Sequence, residues 1–180
     1  MPSFGFETIA YLLLFILPAY VANAAPVLLG GHFQIDGGMR AYDNRPWLGK
    51  GKTWLGIAGG FFAGMLASVL EAHFLTGTSY DLFGGQAEYY IFAGLLLSIG
   101  ALFGDLLGSF IKRRMGISSG KPSFLDQLLF LFGALLFAYP LSLSIAFHPV
   151  SILFLVLFTY FIHRGANEFA HTFGLKKVPW

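Results

Sequence analysis

The stretch Gly104-Asp105-Leu106-Leu107-Gly108-Ser109-Phe110-Ile111-Lys112-Arg113-Arg114 places an acid and a hydroxyl inside an apolar helix and ends it in a basic cluster. Read as a helix, Asp105, Ser109 and Lys112 fall at i, i+4 and i+7 and share one face. A carboxylate at membrane depth is costly and faces a partner or a polar cavity. Pairing with a Lys or Arg for packing is the plainer use of Asp105, but an acid about two turns from the watery end of its helix suits a site. Asp126 opens another apolar segment. Alone it would serve as an acid near the positive end of a helix dipole. With Asp105 at similar depth, the two carboxylates can hold Mg²⁺ or another hard cation.

Lys52 lies in Gly49-Lys50-Gly51-Lys52-Thr53-Trp54, just ahead of a helix. Glycines, a Lys and a Thr at a helix start can cradle phosphate. The spacing is not that of a P-loop, because position 46 is Pro. Lys50, Lys112, Arg113, Arg114 and Lys121 read first as topology anchors or anionic-lipid contacts. Asn23, between Pro18 and Pro26, either satisfies carbonyls freed by proline or binds a nucleotide or hydroxyl. His163, Arg164, Asn167, Glu168 and His171 form a polar interfacial end of the last helix, while Glu71 and His73 lie in the other half of the membrane and take no site role. No Ser-His-Asp, HExxH or redox pattern is present, and without cysteine there is no thiolate chemistry or disulfide.

The elements that position these residues span a membrane. The chain has 180 residues, of which 56% are hydrophobic and 11% charged, with a mean hydropathy of +0.69. A soluble domain of this size has too little interior for that much apolar surface. The apolar runs are continuous rather than alternating, so the class is all-α integral membrane protein. Five spans are expected, over Phe6–Leu29, Trp54–Leu75, Tyr90–Ile111, Phe124–Phe147 and Val150–His171, the last two joined by a tight His148-Pro149 turn. The amino terminus has no basic region and carries Glu7, so it reads as the first span rather than a signal peptide.

Arg40, Arg45, Lys50 and Lys52 follow the first span, Lys112, Arg113, Arg114 and Lys121 the third, and Arg164, Lys176 and Lys177 end the chain; these are all eleven Lys and Arg. The positive-inside rule puts the amino terminus outside and the carboxyl terminus in the cytoplasm. Gly56, Gly60, Gly64 and Ser68 form one small-residue stripe, and Gly100, Gly104 and Gly108 another. Such stripes let backbones approach, and they are expected to press the second and third spans together, or to pair two copies as a homodimer. Pro18 and Pro26 are expected to kink the first span around Asn23. The net charge of +2 is too small to point to nucleic acid.

Lys52-Thr53-Trp54-Leu55-Gly56-Ile57-Ala58-Gly59-Gly60 resembles the KTxxGxxGG segment of the CDP-diglyceride synthetase (phosphatidate cytidylyltransferase) family. Gly104-Asp105-Leu106, with Ser109, Lys112 and Arg113, resembles that family's GDLxxSxxKR signature. The segment from Leu17 to Pro26 and Pro122-Ser123-Phe124-Leu125-Asp126-Gln127 look like its archaeal, CDP-archaeol-forming branch. The resemblance covers nearly the whole chain and implies a single transmembrane cytidylyltransferase domain over residues 1–180. It implies a multi-pass enzyme of the cell membrane, facing the cytoplasm, that turns CTP and digeranylgeranylglyceryl phosphate, an isoprenoid ether lipid phosphate, into CDP-lipid and pyrophosphate with Mg²⁺. Asp105 and Asp126 match the metal positions. On that reading Lys52, Lys112 and Arg113 offset phosphate charge, and Asn23, Thr53 and Ser109 position the nucleotide or the attacking oxygen. A phosphatidate cytidylyltransferase of broader lipid range has the same chemistry. A small ion channel or transporter using Asp105 is the rival from another class, and a non-catalytic scaffold leaves both signatures unexplained.

Overall fold

The computed structural model describes residues 5–119, 121, 123–141 and 143–174; the side chains of Asp126, Gln127, His163 and Ala170 lie outside the described part. Five helices follow in order: α1 (Phe6–Leu29), α2 (Trp54–Leu75), α3 (Ala87–Arg114), α4 (Phe124–Ala138) continued by a 3₁₀ turn at Tyr139–Leu141, and α5 (Pro149–Thr172). Helices α1, α2, α3 and α5 are long and apolar enough to cross a membrane, and α4 is a shorter apolar helix. Among the described residues there are no strands, only two isolated bridges, Gln34 with Thr53 and Arg40 with Pro46.

The third helix runs past its expected bounds at both ends, and the fourth stops short. Pro140 explains the stop: it has no N–H to give and crowds the preceding turn, and the Leu136 carbonyl accepts from Tyr139 instead. The link from α4 to α5 is therefore residues 139–148 rather than a two-residue turn. His148 Nδ1 accepts from the Val150 N–H at the start of α5, 3.3 Å away, and Pro149 stands at the first helical position, where no donor is lost.

The core lies where α1, α3, α4 and α5 meet, around Leu12, Ile16, Leu97, Leu131 and Leu155. Tyr20 of α1 and Thr159 of α5 share a hydrogen bond of 2.7 Å inside it. Phe62, Leu66, Leu157 and Phe161 stay exposed, as lipid-facing residues do. Helix α1 runs unbroken through Pro18 and Pro26. The Ala22 carbonyl, which Pro26 deprives of its helical donor, lies against Gly60 of α2.

The glycine stripes divide differently from the expected α2–α3 seam. A side chain on Gly56, Gly59 or Gly60 would run into α1, at Pro26, Leu29 and Ala22. One on Gly100 or Gly104 would run into the α4 backbone at Gly133 and Leu129, and Gly133 meets Gly100 and Gly104 in return. Gly64, against Ser98, and Gly94, against Ser68, sit in the α2–α3 contact, where Gly60 also meets Leu102. A stripe of small residues permits close approach without choosing the neighbour. Here consecutive helices pack as α1 with α2, α2 with α3 and α3 with α4, and the stripes are shared among the three seams.

Candidate active site

The loop between α1 and α2 folds back over the end of α3. Trp54 N–H donates to the Phe33 carbonyl at 3.1 Å and Ile35 N–H to the Lys52 carbonyl at 3.0 Å, so residues 33–35 and 52–54 run antiparallel. Thr53 is the N-cap of α2. Its hydroxyl oxygen accepts from Gly56 N–H at 3.1 Å and from Gly31 N–H at 3.2 Å. This satisfies an otherwise orphaned helix donor and sets the direction in which Lys52 leaves the chain.

Lys52 reaches the Asp105 carboxylate on α3. Its ammonium lies 2.7 Å from Oδ1 and 2.6 Å from Oδ2. The side chains are 25% and 19% exposed, so water reaches the pair without dispersing it. Ser109 follows one turn on, 2% exposed, and Lys112 and Arg113 are buried near the end of α3. That end is closed by Gly116, at φ +78°, through bonds from Met115 to Ile111 and from Ile117 to Lys112. Its negative dipole end is matched by the three cations of the last turn.

Two arginines tie the loop to this end. Arg114 pairs with Asp43 and donates to the Arg45 and Pro46 carbonyls, and its guanidinium lies 5.3 Å from the Phe110 ring centre. Arg45 donates to the Arg114 carbonyl at 2.7 Å. Between loop and helix end opens a cleft of about 400 Å³, lined among others by Gln34, Arg40, Arg45, Lys50, Arg113 and Ser119. Its lining is rich in cations, which suits a polyanion. Asp36 sits under this loop with three backbone N–H groups on its carboxylate. Burial alone would raise its pKa, but the bonds from Leu48, Gly38 and Gly49 outweigh burial and hold it below the usual carboxylate range.

Against this geometry stand the chain's relatives. A family model described as CarS-like, CDP-archaeol synthase, matches residues 6–180. The chain belongs to the CDP-archaeol synthase family. It is 49% identical over 167 residues to the CDP-archaeol synthase of Thermococcus gammatolerans, covering 92% of this chain and 93% of that one. It is 46% identical over 176 residues to that of Methanococcus aeolicus, covering 93% and 94%. A solved structure of an intramembrane enzyme for archaeal membrane lipids biosynthesis superposes with a TM-score of 0.74 at 35% identity, covering 86% of this chain and 91% of that one. The chain is thus an intramembrane, multi-pass helical protein, as its composition implies.

Within this CDP-archaeol synthase family member, the two motifs found in the sequence meet: the Lys52 segment and the Asp105 helix form one ion pair across 53 positions. Asp126 stands in the first turn of α4, where the Leu125 carbonyl faces Gly108 across the α3–α4 seam; its side chain lies outside the described residues, as do Pro122, Lys176 and Lys177. Asn23 is half-buried on α1, next to Ala22 and at the level of Gly60 and Leu102, about one turn along α3 from Asp105. Ser109 is buried within the helix rather than presented to the cleft, and Thr53 is a helix cap. Asp36 and Asp43, which carry no motif, hold the loop, and Arg45 and Arg114, expected as topology anchors, tie it to α3. Asp36-Gly37-Gly38 carried a legible turn signal.

Proposed function

We propose that the Lys52–Asp105 corner and the adjoining basic cleft are the site of cytidylyl transfer, opening to the cytoplasm. In keeping with its family, the enzyme joins CTP to an archaeol-type lipid phosphate, here digeranylgeranylglyceryl phosphate. An oxygen of the lipid phosphate attacks the α-phosphorus of CTP. A new P–O bond forms there, the bond from that phosphorus to the oxygen bridging toward the β-phosphate breaks, and pyrophosphate leaves with that oxygen. The attacking phosphate has a second pKa near ~6, so it is already a competent nucleophile. The protein's task is to position reactants and offset charge.

The observation that carries this reading is the ion pair joining Lys52 to Asp105 beside a cation-lined cleft. Lys52, paired with Asp105 in the structure, would turn to the nucleotide phosphates when they bind. Lys112 and Arg113 add positive charge at the end of α3. Asn23 orients the reactants from the helix side, and Thr53 holds Lys52 in place through the cap.

The donor chemistry fits Mg²⁺. Asp105 offers hard carboxylate oxygens at a partly hydrated position, and Asp126 belongs to the facing helix at the same seam. Asp105 and Asp126 would hold the ion, since one or two carboxylates are the protein ligands Mg²⁺ ordinarily takes beside phosphates. When bound, such an ion neutralises phosphate charge.

The test is turnover of radiolabelled CTP by purified, detergent-solubilised protein with Mg²⁺, offered digeranylgeranylglyceryl phosphate and phosphatidate in parallel. CDP-lipid is expected from the first, and product from both would widen the lipid range. Asp105→Asn and Asp126→Asn should each lower turnover by about a hundredfold or more. Wild-type turnover in both variants, shown to be folded, would overturn the site.

A further inference from the structure

Residues 30–53 have little apolar packing of their own. Phe33 is 83% exposed, Met39 63% and Tyr42 95%. A segment so poor in burial takes its shape from polar bonds. The buried centre of those bonds is Asp36, 5% exposed. Its Oδ1 accepts from Gly38 N–H at 3.0 Å, and its Oδ2 from Leu48 N–H at 2.9 Å and Gly49 N–H at 3.2 Å. Both oxygens are used, and they join the outgoing limb of the loop to the returning one.

The returning limb leads directly to Lys52. Gly49 takes φ +97°, its carbonyl accepts from Lys52 N–H at 3.2 Å, and the Lys52 carbonyl accepts from Ile35 N–H, next to Asp36. The Leu48–Gly49 backbone is thus held by the carboxylate on one side and hydrogen-bonded to the Lys52 backbone on the other. A lysine side chain is long and flexible, so the place of its ammonium depends on where its backbone is anchored.

We propose that Asp36 is a positioning residue for cytidylyl transfer: by pinning the Leu48–Gly49 backbone, its carboxylate sets where the Lys52 ammonium stands relative to Asp105. This rests on Lys52 acting in the site as described above. Asp36 touches no reactant, and its influence passes through the turn.

Asp36→Asn keeps the size but turns an amide N–H₂ or a single oxygen toward donors that need acceptors. Turnover in digeranylgeranylglyceryl phosphate and CTP is measured for Asp36→Asn, Lys52→Ala and the double variant, with amide hydrogen exchange at Leu48 and Gly49 in detergent. Expected for Asp36→Asn are a roughly ten- to hundredfold fall in kcat, the scale of a misplaced catalytic group, a near-native thermal midpoint and faster exchange at both amides. In the Lys52→Ala background the same change should remove less than about twofold more, since effects through one group do not add. Gly49→Ala is the second probe. A side chain there is strained by the positive φ and would press on Ser119 Oγ at 3.1 Å, with Arg113 only in ordinary contact at 3.7 Å, so it disturbs the turn without touching the carboxylate and should show the same non-additivity. If Asp36→Asn does not fold, Gly49→Ala decides alone.

Two results overturn the proposal while leaving Lys52 in the site: full turnover in folded Asp36→Asn when Lys52→Ala is impaired, or an equal fold-loss in both backgrounds. Wild-type turnover in Lys52→Ala would instead overturn the site reading, and the positioning role with it.

Discussion

Lys52 and Asp105 were each visible in the sequence for a local reason. Asp105 is an acid within an apolar run, and Lys52 sits among glycines before a helix. Their pairing was not visible, because it depends on a loop whose path is set by backbone bonds to Asp36, and such bonds leave no periodic pattern. Thr53 shows the opposite case: a Thr just before an apolar helix is a legible cap, and the structure uses it as one. The pairing has a consequence for ion binding. An ammonium on both oxygens of Asp105 competes with any cation seeking that carboxylate. Lys52→Gln should therefore bind Mn²⁺ more tightly than the native protein when no nucleotide is present. The gain should be roughly fivefold, about 1 kcal/mol, the upper end for a partly exposed pair. Titration followed by electron paramagnetic resonance reads this directly. Unchanged affinity would mean that Lys52 does not guard Asp105 in the resting enzyme, and adding Asp105→Asn should erase any gain.

At the scale of helices, the spans could be located because each is a long apolar run, and the end of α4 was misjudged because the apolar run continues beyond Pro140 while the helix does not. The glycine stripes announced close backbone approach but not the partners, and Gly133, a lone glycine in its helix, gave no signal at all. The α3–α4 seam now makes a sharp contrast. At Gly104 a new Cβ would press into the Leu129 carbonyl, a backbone atom that cannot swing aside, whereas at Gly165 on α5 it would meet nothing within 4 Å. Gly104→Ala should lower stability by about 1–3 kcal/mol, as overpacking does. Gly165→Ala should leave it unchanged or raise it by up to about 1 kcal/mol, through helix propensity. Thermal unfolding in one detergent compares the two. Gly104→Ala should also reduce turnover, because the seam it opens carries Asp105 on one side and Asp126 on the other. Equal midpoints for both variants would contradict the backbone contact.

The whole molecule was most legible in its charges. The described basic residues of the two loops meet at one end of the bundle, where Arg45 and Arg114 lock the first loop to the end of α3. The opposite end gathers the start of α1 and the loop after α2, joined by the Tyr11 hydroxyl donating to the Ser79 carbonyl at 2.6 Å. The fold therefore has a basic end and an opposite end, and placing them in a cell is a question of energy rather than geometry. Lys and Arg are held back on the cytoplasmic side, which supports the proposed orientation, with the Lys52–Asp105 corner inside and the amino terminus outside. The chain has no cysteine, which makes single-cysteine labelling clean. Ser79→Cys, in the exposed loop after α2, should react with a membrane-impermeant maleimide in intact cells. Tyr42→Cys, in the exposed part of the basic loop, should react only after the membrane is opened. The reverse pattern would put the basic cleft outside, away from its nucleotide, and the proposed orientation would fall even though the fold and the ion pair stood.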